Sequence, residues 1–284
     1  MIIARRLTII FLTTILILSC DKSTTKSDPI SVIFPDTNLE QLIREIINQP
    51  DGEILSSSID TITTISAREH DIADLTGIDY CTSLEFLDLY KNQISDLSPI
   101  SNLTNLDFLW LYGNDISDIS PIAGLVNLEQ LNLNRNDISD ISAISELIKL
   151  FRLSFERSSV SDLSPLTKLV NIEKLHFSSE DILDISVIAG LTKLIELGIT
   201  GTQISDLTAL ASLTDLRNIY LQNNLISDIS GLESLTNIST VWIPNNQISD
   251  ILPLVNNAGI DNSDQINLVM NPLSDTSINT YILN

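Results

Sequence analysis

Pairs of apolar residues separated by one position recur along most of the chain at a step of 22 residues. The clearest unit is residues 84–100, LEFLDLYKNQISDLSPI, which returns as LWLYGNDISDISPI, LNLNRNDISDISAI and VWIPNNQISDILPL. An alternation with a period of two predicts a short β-strand whose apolar residues point inward. Ten strands are predicted in this way, at Ile65/Ala67, Leu87/Leu89, Leu109/Leu111, Leu131/Leu133, Leu153/Phe155, Leu175/Phe177, Leu197/Ile199, Ile219/Leu221, Val241/Ile243 and Ile266/Leu268.

A repeat of about 20 to 29 residues with an L-x-x-L-x-L-x-x-N core is typical of leucine-rich repeats, in which each coil packs only against its neighbours. The predicted fold class is therefore α/β. It is a right-handed solenoid with a parallel β-sheet on its concave face, short 3-10 turns on its convex face and a helical N-terminal cap. We predict the cap at residues 31–57, an array of ten coils at 58–271 and a C-terminal cap at 272–284.

An asparagine follows most strands, three residues after the apolar pair. Its inward amide can bond the backbone groups that a buried turn leaves unpaired. In four coils His70, Ser158, Glu180 and Thr202 take this place, and Glu180 should turn outward rather than bury its charge. We therefore expect this asparagine spine to be weakest between residues 158 and 202. Its members are Asn92, Asn114, Asn136, Asn224, Asn246 and Asn271.

An aspartate also recurs just after each turn. One interpretation is that each carboxylate caps the short helical turn that follows it. The alternative is a ladder of carboxylates that binds calcium along the convex side. Calcium takes about six to eight oxygen ligands, which is more than one acid and one serine per coil supply, so we favour capping. The column comprises Asp74, Asp96, Asp118, Asp140, Asp162, Asp184, Asp206, Asp228 and Asp250.

The first residues have the layout of a secretory signal, with basic MIIARR followed by apolar LTIIFLTTILIL. The apolar run ends Ile17-Leu18-Ser19-Cys20, which resembles a bacterial lipobox. This resemblance implies a lipoprotein signal peptide at 1–19, a lipidated Cys20, a flexible tether at 20–30 and an extracytoplasmic protein anchored to a bacterial membrane. The alternative is a plain signal or an uncleaved anchor, but the run is shorter than the roughly 20 residues of a spanning helix.

An amphipathic helix is predicted after this tether, capped by Asp36 or Thr37. Residues 34–81 resemble the N-terminal cap and first coil of the internalin-type leucine-rich repeat proteins of bacterial surfaces. The half-repeat ISDISPI at 116–122 carries the same resemblance. The resemblance implies a surface-displayed binding module, but that family binds many unrelated partners. The inward residues of the helix are predicted to be Leu39, Leu42, Ile43, Ile46 and Ile47.

The composition argues against several classes of function. With 37 acidic and 15 basic residues the net charge is −22, which repels phosphate backbones, so we predict no nucleic-acid partner. Cys81 falls in a core column and should be a buried free thiol. His70 and His176 lack a nucleophile partner in sequence and no catalytic motif occurs, so we predict that the protein is not an enzyme and has no metal or cofactor. We also predict that it is monomeric. An enzyme would have to depend on His176.

The outward strand positions carry an unusual set of side chains. Aromatic residues suit strands and pair across them, but they are also enriched at binding interfaces, Tyr and Trp above all. We therefore predict a partner-binding face. Its residues are an N-terminal group, Phe86, Tyr90, Phe108, Trp110 and Tyr112, a smaller group, Tyr220 and Trp242, and between them a cationic band of Arg135, Arg152, Arg157, Lys174 and His176.

Two functions are compatible with this face. The first is a membrane-anchored extracytoplasmic protein that docks an acidic protein partner through the concave sheet. The second is a glycan-binding lipoprotein, in which the rings stack on sugars beside Gln130, Asn132 and Asn134. Sugar recognition should survive denaturation of the target and should be competed by free oligosaccharide, whereas protein docking should not.

Overall fold

A computed structural model describes residues 28–278 of the chain. Ten parallel strands form one sheet, and their order in the sheet follows their order in the chain. The leucine-rich repeat solenoid predicted from the 22-residue period is confirmed. The strands are β3 Thr64–Ser66, β4 Phe86–Asp88, β5 Phe108–Trp110, β6 Gln130–Asn132, β7 Arg152–Phe155, β8 Lys174–Phe177, β9 Glu196–Ile199, β10 Asn218–Tyr220, β11 Thr240–Trp242 and β12 Gln265–Asn267.

Short helical turns lie on the side of each coil opposite the sheet, as predicted. Proline stands in the first turn of several of them, where its fixed φ suits a helix start and its missing N–H is not needed. The 3-10 turns are Ile78–Tyr80, Ser98–Ile100, Ser120–Gly124, Ser142–Ile144, Ser164–Lys168, Ser186–Gly190, Thr208–Ser212 and Ser230–Leu232, and the last coil instead has the helix α3 Leu252–Asn256.

Eight of the nine aspartates bond the first backbone N–H of the convex turn that follows them, as favoured above, whereas Asp74 bonds Thr76, two residues before the turn Ile78–Tyr80. Each carboxylate accepts a hydrogen bond from the backbone N–H two residues later, for example from Ser120 to Asp118 at 2.7 Å and from Ser142 to Asp140 at 2.7 Å. Hydrogen bonds from Ser98 also hold the pKa of Asp96 below its usual value. Apart from Asp74, these carboxylates therefore start the convex turns.

The N-terminal cap contains the predicted helix, α1 Thr37–Ile46, together with a short helix α2 Ser56–Ile59. The helix buries Leu39 and Ile43 and partly buries Leu42 and Ile47, whereas Ile46, predicted to point inward, is 39% exposed. Two strands that the sequence analysis did not predict pair antiparallel with each other. They are β1 Ser31–Val32, before the helix in the chain, and β2 Ile54–Leu55, after it. The cap thereby covers the end of the apolar core that the first coil would otherwise expose.

The apolar pairs of strands β3 to β11 are buried, so the predicted strand phase is confirmed. Cys81 is buried in the same core, and burial raises the pKa of its thiol to about 12. The final pair differs from the prediction, because Ile266 is 39% exposed and Leu268 only partly buried. Among the described residues no further coil follows β12 to cover them.

The asparagine spine is present as predicted. Asn92 donates to the carbonyls of Ala67 at 2.7 Å and Leu89 at 3.0 Å, and its Oδ1 accepts from the N–H of Ile72 at 3.0 Å. Asn114 repeats the pattern one coil later. Each amide thus joins two adjacent coils through the backbone groups that the turn leaves unpaired.

The spine is interrupted where the sequence departs from asparagine. Glu180 is exposed, as expected, while Thr202 is buried and donates its hydroxyl to Asn224 at 2.5 Å. His70 also differs from a spine residue, because its side chain is exposed and only its backbone N–H reaches Asn92. In the same stretch Phe155 and Phe177 stack inside the core with ring centroids 5.3 Å apart. These rings replace part of the missing polar spine with apolar packing.

Asp36 joins the cap helix to the first coil. Its Oδ1 accepts from the N–H groups of Asn38 and Leu39 at the start of α1, and its Oδ2 accepts from those of Ala73 and Asp74. Partial burial opposes ionisation, but the four hydrogen bonds outweigh it and lower the pKa of Asp36. One carboxylate therefore both caps a helix and links it to the array.

We predict that Asp36→Ala lowers the free energy of unfolding by about 1 to 2 kcal/mol, the usual cost of losing an N-cap. Asp36→Asn keeps a cap oxygen but loses the acceptor for Ala73 and Asp74, so its loss should be smaller. Because the folded-state pKa is lowered, the wild-type carboxylate stabilises the fold above its ordinary pKa of 3.8. That stabilisation should fade as the pH falls through the folded-state pKa. Urea unfolding at pH 7 and pH 3 measures both effects, and equal losses for the two variants would contradict the link to the first coil.

The C-terminal end of the described chain exposes an apolar cavity of about 850 Å³. Residues 272–278 of the predicted C-terminal cap lie beside it, while 279–284 lie outside the described residues. The predicted signal peptide, the lipidation at Cys20 and most of the tether also lie outside them. No helix within 28–278 is long and apolar enough to cross a membrane.

Candidate binding surface

The side of the sheet opposite the core, here called the concave face, carries the predicted aromatic side chains. The parallel register places Phe86 beside Phe108 and Tyr220 beside Trp242. Trp242 is 40% exposed, and the other predicted rings are half-buried. The sequence therefore predicted correctly which rings lie on this face, while their role in binding remains a prediction.

The rings near the N-terminal end form two contacting groups that Arg68 joins, together called here the aromatic patch: Phe86, Tyr90, Phe108, Trp110 and Tyr112. Phe86 contacts Phe108 at 6.1 Å and the edge of Trp110 at 5.1 Å between ring centroids. Tyr90 and Tyr112 stack at 4.7 Å, with their planes 15° apart. Each such pair contributes about 0.5 to 1.5 kcal/mol beyond its buried area, so the rings hold one another in place.

An ion pair that the sequence analysis missed lies against the aromatic patch. Asp88 lies between the inward Leu87 and Leu89 and so faces outward, yet it is only 1% exposed, and Arg68 binds its carboxylate. The guanidinium of Arg68 also lies over the rings of Tyr90 at 5.6 Å and Trp110 at 5.4 Å. Arg68 and Asp88 are 20 residues apart, which makes them diagonal neighbours on adjacent coils. That spacing was the signal available in the sequence.

The predicted cationic band is less uniform than expected. Glu196 binds His176 at 2.8 Å and Lys174 at 3.4 Å, so two of its cations share an acidic partner. Burial opposes ionisation of Glu196, but the hydrogen bond to His176 and the nearby charges lower its pKa. Arg135 lies with positive φ beyond the strand, with its guanidinium over Tyr112. Two of the five residues of the band, Lys174 and His176, therefore share one carboxylate, while the role of the band in binding remains a prediction.

Arg157 and Arg152 differ from the rest of the band. Arg157 lies in the turn beyond β7 with φ +58°, whereas Arg152 lies on the strand itself. Both side chains are exposed, and neither makes an ion pair within the described residues. Arg152 is the one that points onto the concave face.

The second group of rings lies around His176. The ring of His176 is 6.2 Å from that of Tyr220 and lies against Gly198 on the neighbouring strand. A Cβ at residue 198 would come within 2.4 Å of Nδ1 of His176, so glycine makes room for the ring. Trp242 follows Tyr220 in register, and no other aromatic ring or cation of the described chain contacts it.

Comparison with known proteins extends these observations. A family model for leucine-rich repeats in two copies matches residues 82–124, 104–146 and 214–256. The crystal structure of an internalin C2 from Listeria monocytogenes is 33% identical with a TM-score of 0.73, and the match covers 76% of this chain and 97% of the internalin. The chain belongs to the internalin family. No curated protein matches it in sequence.

Other solved structures share the fold of this internalin-type chain. A second Listeria monocytogenes internalin, InlF, is 28% identical with a TM-score of 0.59, over 87% of this chain and 94% of that one. The plant peptide hormone receptor RGFR1, solved in complex with RGF2, is 20% identical with a TM-score of 0.62, over 77% of this chain and 37% of the receptor. The repeats and the internalin relatives support a protein-interaction scaffold.

Proposed function

We propose that this internalin-type chain binds a protein partner outside the cytoplasm through its concave face, with the aromatic patch as the anchor. The observation that carries the proposal is the patch itself, in which the rings lie on the side of the sheet that has no core to pack against. Arg68, paired with Asp88, holds Tyr90 and Trp110 in place before any partner arrives. Side chains that are already ordered lose little entropy on binding, which favours affinity.

We further propose that the chain is tethered to a bacterial membrane through a lipid on Cys20, and that it is monomeric and not an enzyme. The lipobox-like Ile17-Leu18-Ser19-Cys20 supports the tether. Mass spectrometry of the membrane-associated protein tests it, because a diacylglyceryl-modified Cys20 should be the first residue of the mature chain. A mature protein that begins elsewhere would contradict the tether but not the binding.

Protein docking is favoured over glycan binding by the contacts of the tyrosines. Tyr90 and Tyr112 stack on each other, Lys91 lies over Tyr90 at 5.2 Å and Arg135 lies over Tyr112 at 5.2 Å. A sugar stacks on a free ring face, and these contacts occupy such faces. Trp242 has no such neighbour and is the ring best placed to stack on a sugar.

A pair of tryptophan variants separates the two functions. For a protein-binding surface, Trp110→Ala should reduce capture of the partner by the soluble fragment from Asp28 onward, and denaturing the partner should abolish capture. A glycan-binding protein should instead bind a glycan array, be competed by free oligosaccharide and lose binding with Trp242→Ala. Array binding that is lost with Trp242→Ala and kept with Trp110→Ala would replace our proposal with the glycan function.

A further inference from the structure

A small pocket lies on the concave face directly beside the aromatic patch. It has a volume of about 240 Å³. The side chains decrease in size from Trp110 to Asn132 and Ser154 along one row of the sheet, where these residues are adjacent in register. The large rings thus form one wall, and the space above the smaller residues is open. The lining residues used below are Trp110, Tyr112, Gln130, Asn132, Arg152 and Ser154.

Two arginines line this pocket, Arg68 and Arg152, and of these two only Arg152 has no acidic partner among the described residues. The other cations of the concave strands already have acidic partners, since Arg68 binds Asp88 while Lys174 and His176 bind Glu196. Among the described residues no carboxylate pairs with Arg152 and no ring lies under its guanidinium. An unpaired guanidinium offers a planar fork of donors that matches a carboxylate.

The other polar groups of the pocket also suit an anion. Asn132 uses its Oδ1 to accept from the N–H of Asn134 at 3.0 Å, which leaves its NH₂ group available as a donor. The nearby acid Glu156 does not line the pocket, and Asn134 binds its carboxylate at 3.2 Å. Ser154 and Gln130 add further possible donors at the lining. The pocket therefore presents donors beside apolar rings and no carboxylate of its own.

We infer that this pocket binds an aspartate or glutamate side chain of the protein partner, and that Arg152 determines the preference for an acidic residue. The inference rests on the proposed function, because it names what the concave face recognises. The carboxylate forms a bidentate pair with Arg152, and the apolar atoms of the same or the next partner residue contact Trp110 and Tyr112.

Size and charge support a protein segment as the occupant. The pocket is smaller than the roughly 300 to 1,000 Å³ of a typical small-molecule site, so it holds one or two side chains. The chain as a whole carries a net charge of −22 and repels acidic surfaces at long range. Physiological salt screens such repulsion beyond about 8 Å, so a single acidic residue can still pair with a local arginine.

The test uses the purified full chain and a phage-displayed library of random peptides as the probe. Selection on the wild-type protein should enrich peptides with Asp or Glu next to an aromatic or aliphatic residue. Arg152→Ala should weaken their binding about tenfold or more, and Arg152→Lys should weaken it less, because lysine keeps the charge but not the fork. A new selection on Arg152→Glu should lose the acidic preference and enrich Lys or Arg.

Arg217→Ala provides the matched control. Arg217 is an exposed arginine without a side-chain partner in the described chain, it lies outside the pocket, and its removal changes the net charge equally. Its loss should leave peptide binding unchanged. Melting temperatures of both alanine variants should equal that of the wild type, since neither side chain supports the fold.

The outcomes separate this inference from the function on which it rests. Peptides that need Trp110 but show no acidic preference and tolerate Arg152→Ala would overturn the carboxylate pocket and leave the concave docking face intact. Peptides that tolerate Trp110→Ala, or a selection that returns no binding peptides, would contradict both. An equal loss with Arg217→Ala would attribute the effect to net charge and overturn the role of Arg152.

Discussion

Replacing Trp110 with alanine is expected to weaken binding of the protein partner by about 2 kcal/mol or more, roughly thirtyfold in affinity. Trp110 lies at the centre of the aromatic patch, where it contacts the ring of Phe86 and lies beneath the guanidinium of Arg68. Its removal deletes contact area and also removes one of the two rings that contact Arg68, although Asp88 and Tyr90 still hold the guanidinium. Surface plasmon resonance with the captured partner measures the change.

The fold should tolerate this substitution. Trp110 lies on the concave face, while Leu109 and Leu111 on either side point into the core and remain in place. The melting temperature of Trp110→Ala should therefore stay close to that of the wild type. Tyr112→Ala removes a stacked ring from the same patch and should also weaken binding by a comparable amount. Unchanged affinity in both variants would exclude the aromatic patch as the anchor.

Periodic features of this chain were predictable from sequence because one local rule repeats in every coil. Leu87 and Leu89 are buried for the same reason as Leu109 and Leu111, and each repetition strengthens the assignment of strand phase. Strand phase in turn fixes which residues lie on the concave face, since a shift by one residue exchanges the two faces. The capping role of Asp118 follows in the same way from its position before a turn.

Features that join different coils by side chains were harder to predict. The Arg68–Asp88 and His176–Glu196 pairs each span 20 residues, so they depend on the diagonal direction that a side chain takes across the sheet. Strand phase alone does not give that direction, because it depends on rotamers and on the size of the neighbours. As a result, charges counted as free in sequence were already paired, and Arg152 became distinctive only once the pairs were known.

The ends of the array follow no repeat, and sequence reasoning was weakest there. The β1–β2 pairing depends on a contact between Ser31 and Leu55 that no period predicts. Ile266 occupies a core column in sequence but is exposed, because burial of a coil needs a neighbour on both sides. The 22-residue repeat therefore predicts the interior coils correctly but not the structure of the first and last ones.

Phe177→Ala should have the largest effect on stability, a loss of about 3 to 5 kcal/mol in the free energy of unfolding. Its ring is fully buried and stacks on Phe155 with the two planes only 7° apart. It also lies in the stretch where Ser158 and Glu180 replace the spine asparagine, so few amide bonds remain to hold adjacent coils together once the ring is gone. The cavity left behind should therefore weaken the packing between adjacent coils.

Phe108→Ala is the matched control, because it removes the same side chain from the concave face of the same sheet, where the ring is half-buried. Its cost should be well below that of Phe177→Ala. Since solenoid coils contact only their neighbours, weakening one junction should also let the two halves unfold separately. Urea unfolding followed by circular dichroism should then show a broadened or two-step transition for Phe177→Ala and a single step for Phe108→Ala. Similar losses and single transitions in both variants would mean that the asparagine-free stretch is not the weak junction of the array.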